Sequence, residues 1–205
     1  GLPGVTWTSD EPGNPLPLVV SFFTRGFYER EAFDLARSCQ LLGVPFRIEC
    51  VSDLGGWESN TNHKPTHLKR LHAELPGRAM VWIDADARFR RVPTLLMAPI
   101  PGGAVVGYRT IRGRPASGTV LLPVHKRRGE LLEKWEEVVR NHPNATDQVC
   151  LGWAVSALML PHVELPAEYC WIYDFTRANR RKPDPSPTDG EEPVIEHMQA
   201  SRWAR

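Results

Sequence analysis

The chain has 205 residues, and its 25 Lys and Arg nearly balance its 24 Asp and Glu, so the net charge of +1 excludes no class of partner. With 41% hydrophobic and 24% charged residues, the composition is that of a globular protein able to bury a core. This length predicts one domain spanning 1–205. No apolar run approaches the roughly 20 residues of a membrane-spanning helix, which argues against an integral membrane protein.

The cysteine pattern indicates free thiols. Cys39, Cys50, Cys150 and Cys170 form no C-x-x-C spacing, and the first two fall in a predicted helix and a predicted strand. Buried, reduced side chains are therefore expected. Together with the absence of a signal peptide at the start of the chain, this predicts a cytoplasmic protein.

The first predicted elements form a βαβ unit. Residues 1–17 are rich in Gly and Pro and are expected to be a loosely held arm. Leu18–Phe23 is a continuous apolar run typical of a buried strand, Tyr28–Leu42 has helical periodicity, and Phe46–Val51 is a second strand. The short joints between them favour two parallel strands bridged by the helix.

The remaining elements alternate between helices, strands and polar loops. Leu54–Asn62 is predicted as a polar loop, and Pro65–Leu75 as a helix that precedes a strand over Met80–Ile83. Arg109–Gly118 and Pro183–Pro193 are predicted as mobile loops able to close a site. The other predicted elements are strands over Ala104–Tyr108 and Thr119–Leu122, helices over Gly129–Asn141 and Asp147–Leu158, a strand over Glu168–Asp174, and a strand or turn over Val194–Arg205.

Two carboxylates follow the Met80–Ile83 strand directly. In extended chain, residues two apart point to the same side, so Asp84 and Asp86 are placed to converge on one hard cation. Ligands in open α/β sheets bind beyond the carboxyl ends of the strands, which is where this pair falls. An ordinary acidic turn between strand and loop is the alternative.

Two carboxylates are too few for a cation of the Mg²⁺ or Mn²⁺ class, which keeps about six ligands and is usually completed by substrate phosphates and water. His197 is the best third protein ligand, because it follows the apolar pair Val194–Ile195 and stands beside Ser201 and Arg202. The alternative is a histidine that only packs against the domain.

A second polar pair opens the helix over Asp147–Leu158, for which Thr146 is a suitable N-cap. Asp147 in the first turn opposes the helix dipole, which is a sufficient structural explanation. The functional alternative is that Asp147 and Gln148 face a polar ligand in a pocket.

Two further segments have open interpretations. Gly118, between Ser117 and Thr119, either permits close approach of a ligand to the backbone or only makes a turn. Lys64, like Lys69 and Arg70 on the same helix, either reaches a diphosphate or is solvated charge.

Basic residues are concentrated in three clusters, and DNA becomes a partner if the clusters share one face. Surface charge balanced by acidic residues is the alternative. The clusters are Arg109/Arg112/Arg114, Lys126/Arg127/Arg128 and Arg177/Arg180/Arg181/Lys182.

The order of these segments resembles the GT-A nucleotide-sugar glycosyltransferases, with the closest likeness to small, family-8-like, retaining-type members. The resemblance runs from Leu18 to Arg202. It is carried by Thr24 at the end of the first strand, a Lys64-Pro65 helix that leads into Val81-Trp-Ile-Asp84-Ala-Asp86, Ser117-Gly118-Thr119-Val120, Asp147-Gln148 and the late His197. The G-x-x-K-P-W tail of many family-8 enzymes is absent, and Ser201-Arg202 stands near that place.

The resemblance implies an α/β fold, a GT-A (Rossmann-like) sandwich with a mixed, mostly parallel central sheet flanked by helices. It further implies a Mn²⁺ or Mg²⁺ ion held by Asp84, Asp86 and His197, which would bridge the diphosphate of a UDP-sugar.

The same likeness assigns roles around that ion. Thr24 and Asp53 would line the nucleotide pocket, and Arg202 would contact the diphosphate. Asp147 and Gln148 would face the transferred sugar and the acceptor. The departure in the tail leaves the stereochemical outcome open.

The leading hypothesis is therefore a metal-dependent transferase that moves a sugar from a UDP-sugar to an acceptor hydroxyl. A saccharide, another small molecule and a hydroxymethylated DNA base all remain open as acceptors. The alternatives are a nucleotidyltransferase or phosphohydrolase that uses the same two carboxylates, and a non-catalytic nucleic-acid-binding module that uses the basic clusters.

Overall fold

The computed structural model describes residues 4–98, 103–172 and 192–202, and it has an α/β architecture with helices on both sides of a seven-stranded sheet. The strands are β1 (Thr6–Thr8), β2 (Leu18–Thr24), β3 (Phe46–Val51), β4 (Met80–Ile83), β5 (Ala87–Phe89), β6 (Val106–Ile111), β7 (Arg114–Leu122), β8 (His162–Glu164), β9 (Trp171–Ile172) and β10 (Ile195–His197). The helices are α1 (Phe27–Leu41), α2 (Trp57–Asn62), α3 (Lys64–Glu74), α4 (Arg128–Asn141) and α5 (Asp147–Ala157).

The large sheet has the strand order β1-β3-β2-β4-β7-β6-β8. Strands β2, β3 and β4 are parallel neighbours, β6 and β8 form another parallel pair, and β1 and β7 run against their neighbours. Five of the seven strands therefore point in one direction, so the predicted mixed, mostly parallel sheet is confirmed. The predicted βαβ unit is confirmed by the parallel pairing of β2 with β3.

Hydrophobic side chains cover both faces of β2, which explains its continuous apolar sequence. Leu18, Val20 and Phe22 belong to one core, shared with α3, α4 and α5. Val19 and Phe23 belong to the opposite core, shared with α1. Burial on both faces fixes the strand in the sheet, and its carboxyl end at Thr24 then opens into solvent.

The prediction of a loosely held arm is wrong for residues 6–8, which form β1 at the edge of the sheet. Trp7 lies opposite Ile48 in an antiparallel pair, and its ring stacks on Phe23 with centroids 4.8 Å apart. Farther along, Asp10 is paired with Arg78. Apolar stacking at the sheet edge anchors this segment despite its Gly and Pro content.

Two segments predicted as loops are regular structure. Residues 109–118 extend β6 and β7 into a hairpin whose turn is Arg112–Gly113, so the predicted mobile loop is wrong there. Residues 57–62 form α2 instead of a polar loop. In both places the main-chain hydrogen bonds are made locally, and a polar sequence does not prevent this.

The strand predicted over 168–174 is reduced to β9, since 167–169 is a 3₁₀ turn and 173–174 lie outside the described residues. Nearly all of the predicted loop at 183–193 also lies outside them, as do the last three residues of the segment predicted to end at 205. None of the helices in the described part combines the length and apolarity that crossing a bilayer requires.

A three-stranded sheet with the order β5-β10-β9 brings the end of the chain to the end of β4. In this sheet His197 lies opposite Ala87 on β5 and beside Ile172 on β9. Only the three residues 84–86 separate β4 from β5. This register therefore places His197 beside the two aspartates.

Candidate active site

A cleft of about 1260 Å³ lies beyond the carboxyl ends of β2 and β4. One end is formed by the loop after β2 and by α2, and the other by the β6–β7 hairpin and the start of α5. The residues predicted for the site that line this cleft are Thr24, Lys64, Asp84, Asp86, Ser117, Asp147, Gln148 and His197. The sheet thus gathers residues from along nearly the whole chain into one concavity, as open α/β sheets commonly do.

Asp84, Asp86 and His197 converge in the middle of the cleft. Each offers one ligand atom, and these atoms all lie within 4.8 Å of one another. Two carboxylate oxygens and an imidazole nitrogen form a donor set that suits Mn²⁺ or Mg²⁺ completed by phosphate oxygens and water. The residues present therefore fit the ion that the resemblance implies.

The backbone holds both aspartates in place. The Asp84 amide donates to the Gly118 carbonyl at 2.9 Å, which continues the β4–β7 pairing by one residue. The Asp86 carboxylate accepts a hydrogen bond from the Ala200 amide at 2.7 Å, and the Asp86 carbonyl accepts from the Met198 amide at 3.1 Å. Asp86 thereby ties the end of the chain to the turn after β4.

The two carboxyl groups have opposite pKa shifts. Burial raises the pKa of Asp86 to about 6, and the charge of Asp84 adds to the rise. Burial acts in the same direction on Asp84, but Lys64, His197 and Trp82 outweigh it and lower the pKa of Asp84. Crowded carboxylates of this kind are stabilised by a divalent cation.

His197 is buried, and its Nε2 lies 2.9 Å from the Thr119 hydroxyl. Burial alone would lower the pKa of His197, but Cys170 and Asp84 outweigh it and raise that pKa. A metal binds neutral imidazole and ionised carboxylate, so ion binding here would displace protons. Thr119 fixes the orientation of the ring in the manner of an outer-shell partner.

Lys64 is the buried cation of the site. Its Nζ lies 2.6 Å from an Asp147 carboxylate oxygen and 3.1 Å from Asp84 Oδ1, and it donates to the Ser117 carbonyl at 3.0 Å. Nζ also lies 5.0 Å from the centroid of the Trp82 ring. Burial would lower the pKa of Lys64, but the two aspartates outweigh it and raise that pKa. Lys64 therefore bridges Asp84 to the start of α5.

Asp147 is buried at the first residue of α5, where its carbonyl accepts a hydrogen bond from Trp135 Nε1 at 3.0 Å. Thr146 is the N-cap, as predicted, but its side chain makes no capping hydrogen bond, and both Thr146 and Gln148 line the cleft. The first turn of α5 thus presents three polar side chains towards the cleft, and Lys64 binds one of them.

Gly118 lies very close to two residues of the site, His197 and Asp84. A Cβ atom at this position would lie 2.8 Å from His197 Cε1 and 3.3 Å from Asp84 Oδ2. The glycine therefore allows β7 to pass against His197 and Asp84. Gly118 lies within β7 and is not in a turn, and close approach of a ligand to its backbone stays a prediction.

The residues predicted for nucleotide and diphosphate contacts are placed differently. Thr24 lines the cleft at the end of β2. Asp53 is exposed and is not among the described lining residues, but its carboxylate accepts hydrogen bonds from the Gly55 amide and from Asn60, which does line the cleft. The Asn60 hydrogen bond is the main cause that lowers the pKa of Asp53. The side chain of Arg202 lies outside the described part of the structure.

Each of the two basic clusters in the described part of the chain contains one buried arginine. Arg109 is buried and donates to the Cys170 carbonyl, and Arg128 is buried and donates to carbonyls that include those of Pro76 and Arg78. These two arginines therefore stabilise the fold. The cluster at 177–182 lies outside the described residues.

Sequence reasoning missed two side chains that contact the candidate metal ligands. Trp82 Nε1 donates to Asp84 Oδ1 at 2.7 Å, and Thr119 contacts His197. The sequence did contain a signal for Trp82. It stands two residues before Asp84 in extended chain, so the two side chains point to the same side. Nothing local marks Thr119, because its partner is 78 residues away.

No protein-family model matches this chain, and no curated protein matches it in sequence. Among solved structures, it is similar to a glycosyltransferase involved in glycosylation of the major capsid of PBCV-1, with TM-score 0.61 and 14% identity over 90% of this chain and 93% of that one. It is similar to the galactosyltransferase LgtC, solved with donor and acceptor sugar analogues, with TM-score 0.58 and 11% identity over 91% and 94% of the two chains. Mouse xyloside xylosyltransferase 1 gives TM-score 0.58 and 12% identity over 90% and 98%.

This chain has the GT-A glycosyltransferase fold. The architecture implied by the resemblance in sequence order is thereby confirmed. At identities of 11–14% the similarity concerns the GT-A fold alone, so an assignment of chemistry has to come from the site residues themselves.

Proposed function

We propose that this protein is a metal-dependent glycosyltransferase that moves a sugar from a UDP-sugar to an acceptor hydroxyl. The observation that carries the proposal is the convergence of Asp84, Asp86 and His197 in the central cleft of a GT-A fold. These three residues would hold Mn²⁺ or Mg²⁺. The ion would supply Lewis-acid stabilisation of the charge that develops on the diphosphate as the sugar leaves.

The nucleotide is proposed to occupy the end of the cleft beside β2. Thr24, Tyr28 and Trp57 line that end, which offers a hydroxyl and two aromatic side chains to a base and ribose. Asn60, held by Asp53, adds an amide at the same end. Asp53 would then act by positioning Asn60, a role that differs from the direct contact implied by the resemblance.

The transferred sugar is proposed to lie between the metal centre and the start of α5. Asp147 and Gln148 line this part of the cleft, and Lys64 connects Asp147 to Asp84. Ser117 is held in the same cluster by its carbonyl. Asp147 is our choice for the residue nearest the reacting carbon, as a base or as a stabiliser of positive charge. The buried Lys64 pairs with this carboxylate at 2.6 Å and holds it at the edge of the proposed sugar site.

A screen of UDP-sugars for slow hydrolysis with Mn²⁺ tests the proposal, because hydrolysis identifies the donor without knowledge of the acceptor. We expect one or a few UDP-sugars to release UDP, and we expect Asp86→Ala to abolish the release. Glu133→Gln, which alters an exposed carboxylate on α4, is the matched control and should retain activity. If no UDP-sugar bound to the protein or was hydrolysed by it in the presence of Mn²⁺, the proposal would be contradicted.

The same assay separates the other enzyme class. Release of pyrophosphate or phosphate from nucleoside triphosphates, without release of UDP from any sugar donor, would identify a nucleotidyltransferase or phosphohydrolase. A nucleic-acid-binding module receives no support from the described residues, since Arg109 and Arg128 have structural roles.

A further inference from the structure

Two arginines at the tip of the β6–β7 hairpin line the cleft at the end opposite Tyr28 and Trp57. Arg112 is in the turn and Arg114 begins β7, and both are exposed. Neither forms a salt bridge or a side-chain hydrogen bond with another residue in the described part of the chain. This distinguishes them from Arg47, Arg88 and Arg90, which are each paired with a carboxylate.

The turn conformation is unfavourable for an arginine. Arg112 and Gly113 have φ values of 52° and 74°, so both central residues of this two-residue hairpin are left-handed. Such turns favour Asn-Gly, because a long side chain is rarely found at positive φ. An arginine at this position is tolerated at a cost in stability, and costs of this kind concentrate at functional sites.

The hairpin packs closely against the helix that carries Asp147. A Cβ atom on Gly152 of α5 would lie 3.1 Å from the Pro115 side chain, so the helix and the hairpin are in close contact. Pro115 and Ile111 also line the cleft. The backbone that carries the two arginines is therefore packed against the helix that carries Asp147.

The distance along β7 separates the arginines from the proposed metal site. Arg114 is four residues from Gly118, which touches the metal centre, and four strand residues span about 13 Å. This separation leaves room for the transferred sugar and the acceptor between the ion and the hairpin. Lys64 and a divalent ion would balance the charges of Asp84, Asp86 and Asp147, so the bound diphosphate would leave the site negative. An anionic acceptor would then need a compensating cation nearby.

We propose that Arg112 and Arg114 form an anion subsite that selects a sugar acceptor carrying a carboxylate or phosphate group. Guanidinium groups bind both anions through paired hydrogen bonds, so a uronate and a sugar phosphate share the recognised chemistry. This inference rests on the proposed glycosyltransferase function and adds the chemical class of its acceptor.

The test measures binding of glucuronate, glucose 6-phosphate and glucose to the full chain, with and without saturating Mn²⁺ and UDP. We expect at least one anionic sugar to bind about tenfold more tightly than glucose, since charge-assisted pairs discriminate at this level. Arg112→Asn with Arg114→Gln should reduce that preference to about twofold or less. Binding of only one anionic sugar would identify a carboxylate or a phosphate as the group recognised.

The matched control is Arg30→Gln with Arg37→Gln, which removes the same charge from exposed positions on α1 outside the cleft. This variant should keep the preference for anionic sugars. Equal binding of the charged and neutral sugars, no saturable binding of either anionic sugar, or an unchanged preference in the hairpin variant would each overturn the inference. Absence of Mn²⁺ and UDP binding by the wild-type protein would count against the proposed function instead. The two failures can be told apart because binding of the anionic sugars is also measured without Mn²⁺ and UDP.

Discussion

Single residues of the candidate metal site depend on neighbours that leave them the necessary space and charge. Asp84 is ionised because Lys64, His197 and Trp82 oppose the effect of burial on its pKa. Gly118 contributes only the absence of a side chain, and that absence lets β7 approach His197. The site is therefore sensitive to added side-chain atoms as well as to the removal of side chains.

Gly118→Ala should disrupt the site without changing any ligand. Its methyl group would meet His197 at 2.8 Å and Asp84 at 3.3 Å, so the ligands would have to move. We expect Mn²⁺ affinity to fall about tenfold or more, as for other changes that displace ligand side chains. Isothermal titration with Mn²⁺ measures this, and Gly77→Ala, where a Cβ enters open space, is the control. Equal affinity in both variants would contradict the prediction.

Lys64→Met should destabilise the fold strongly. It leaves the buried Asp147 without its cation at 2.6 Å, and removal of one partner of a buried pair costs about 3–5 kcal/mol. We expect this loss in the free energy of unfolding, measured by urea denaturation. The double variant Lys64→Met/Asp147→Asn should lose less than the sum of the two single losses. Additive losses would mean that the pair is not coupled.

At the scale of elements, α3 joins the core to the site. Lys64 at its first turn enters the cleft, and one turn later His67 is buried against Phe22 and Trp82. Burial lowers the pKa of His67 to about 3, with nearby cationic groups, Arg70 first among them, adding to the effect. Helix α3 is therefore packed against the core through a histidine that must stay neutral.

His67 makes stability depend on pH. Its pKa falls from 6.5 to about 3 on folding, so its contribution is complete above pH 6.5 and is lost as the pH falls towards 3. Between pH 6.5 and pH 5 the loss should be about 2 kcal/mol. The measurement is the free energy of unfolding of the wild type minus that of His67→Gln across this range. The subtraction removes the opposite contribution of Asp86, whose pKa is raised.

His142→Gln provides the control, because His142 is exposed at the end of α4. The free energy of unfolding of this variant should depend on pH as that of the wild-type protein does. A pH dependence that is identical in the wild type and His67→Gln would show that His67 is not kept neutral by the fold.

For the whole molecule, the cleft joins distant parts of the chain, so a ligand that fills it should stabilise the entire fold. Thr24 comes from the first long strand, while His197 comes from near the end of the described chain. Ligands that bind only the folded state raise its stability by mass action.

Mn²⁺ with UDP should therefore raise the melting temperature, and the gain in stability is about 2.7 kcal/mol at 100 times Kd. Chelation of the metal should abolish the shift, as should Asp86→Ala, whereas Glu133→Gln should retain it. Scanning fluorimetry measures these shifts. A shift of equal size in Asp86→Ala would mean that the nucleotide binds without the proposed metal centre.

The sequence by itself determined the elements whose patterns are local. Burial on both faces of β2 and β4 requires mainly apolar runs, with Ser21 the one polar residue inside β2, and α1 and α4 require helical periodicity. The strand that ends at Asp84 was predicted for the same reason. The hairpin at 109–118 was missed because its stability comes from pairing between two polar strands, which leaves no hydrophobic pattern.

Only the tertiary structure decided which polar residues act together. Asp84 and His197 are 113 positions apart in sequence, and the register of β10 beside β5 brings them within reach of one ion. The same packing buried Arg109, which the sequence could not distinguish from Arg112 and Arg114. Charge and spacing in sequence name the groups available for chemistry, whereas long-range strand pairing sets their distances and their exposure to solvent.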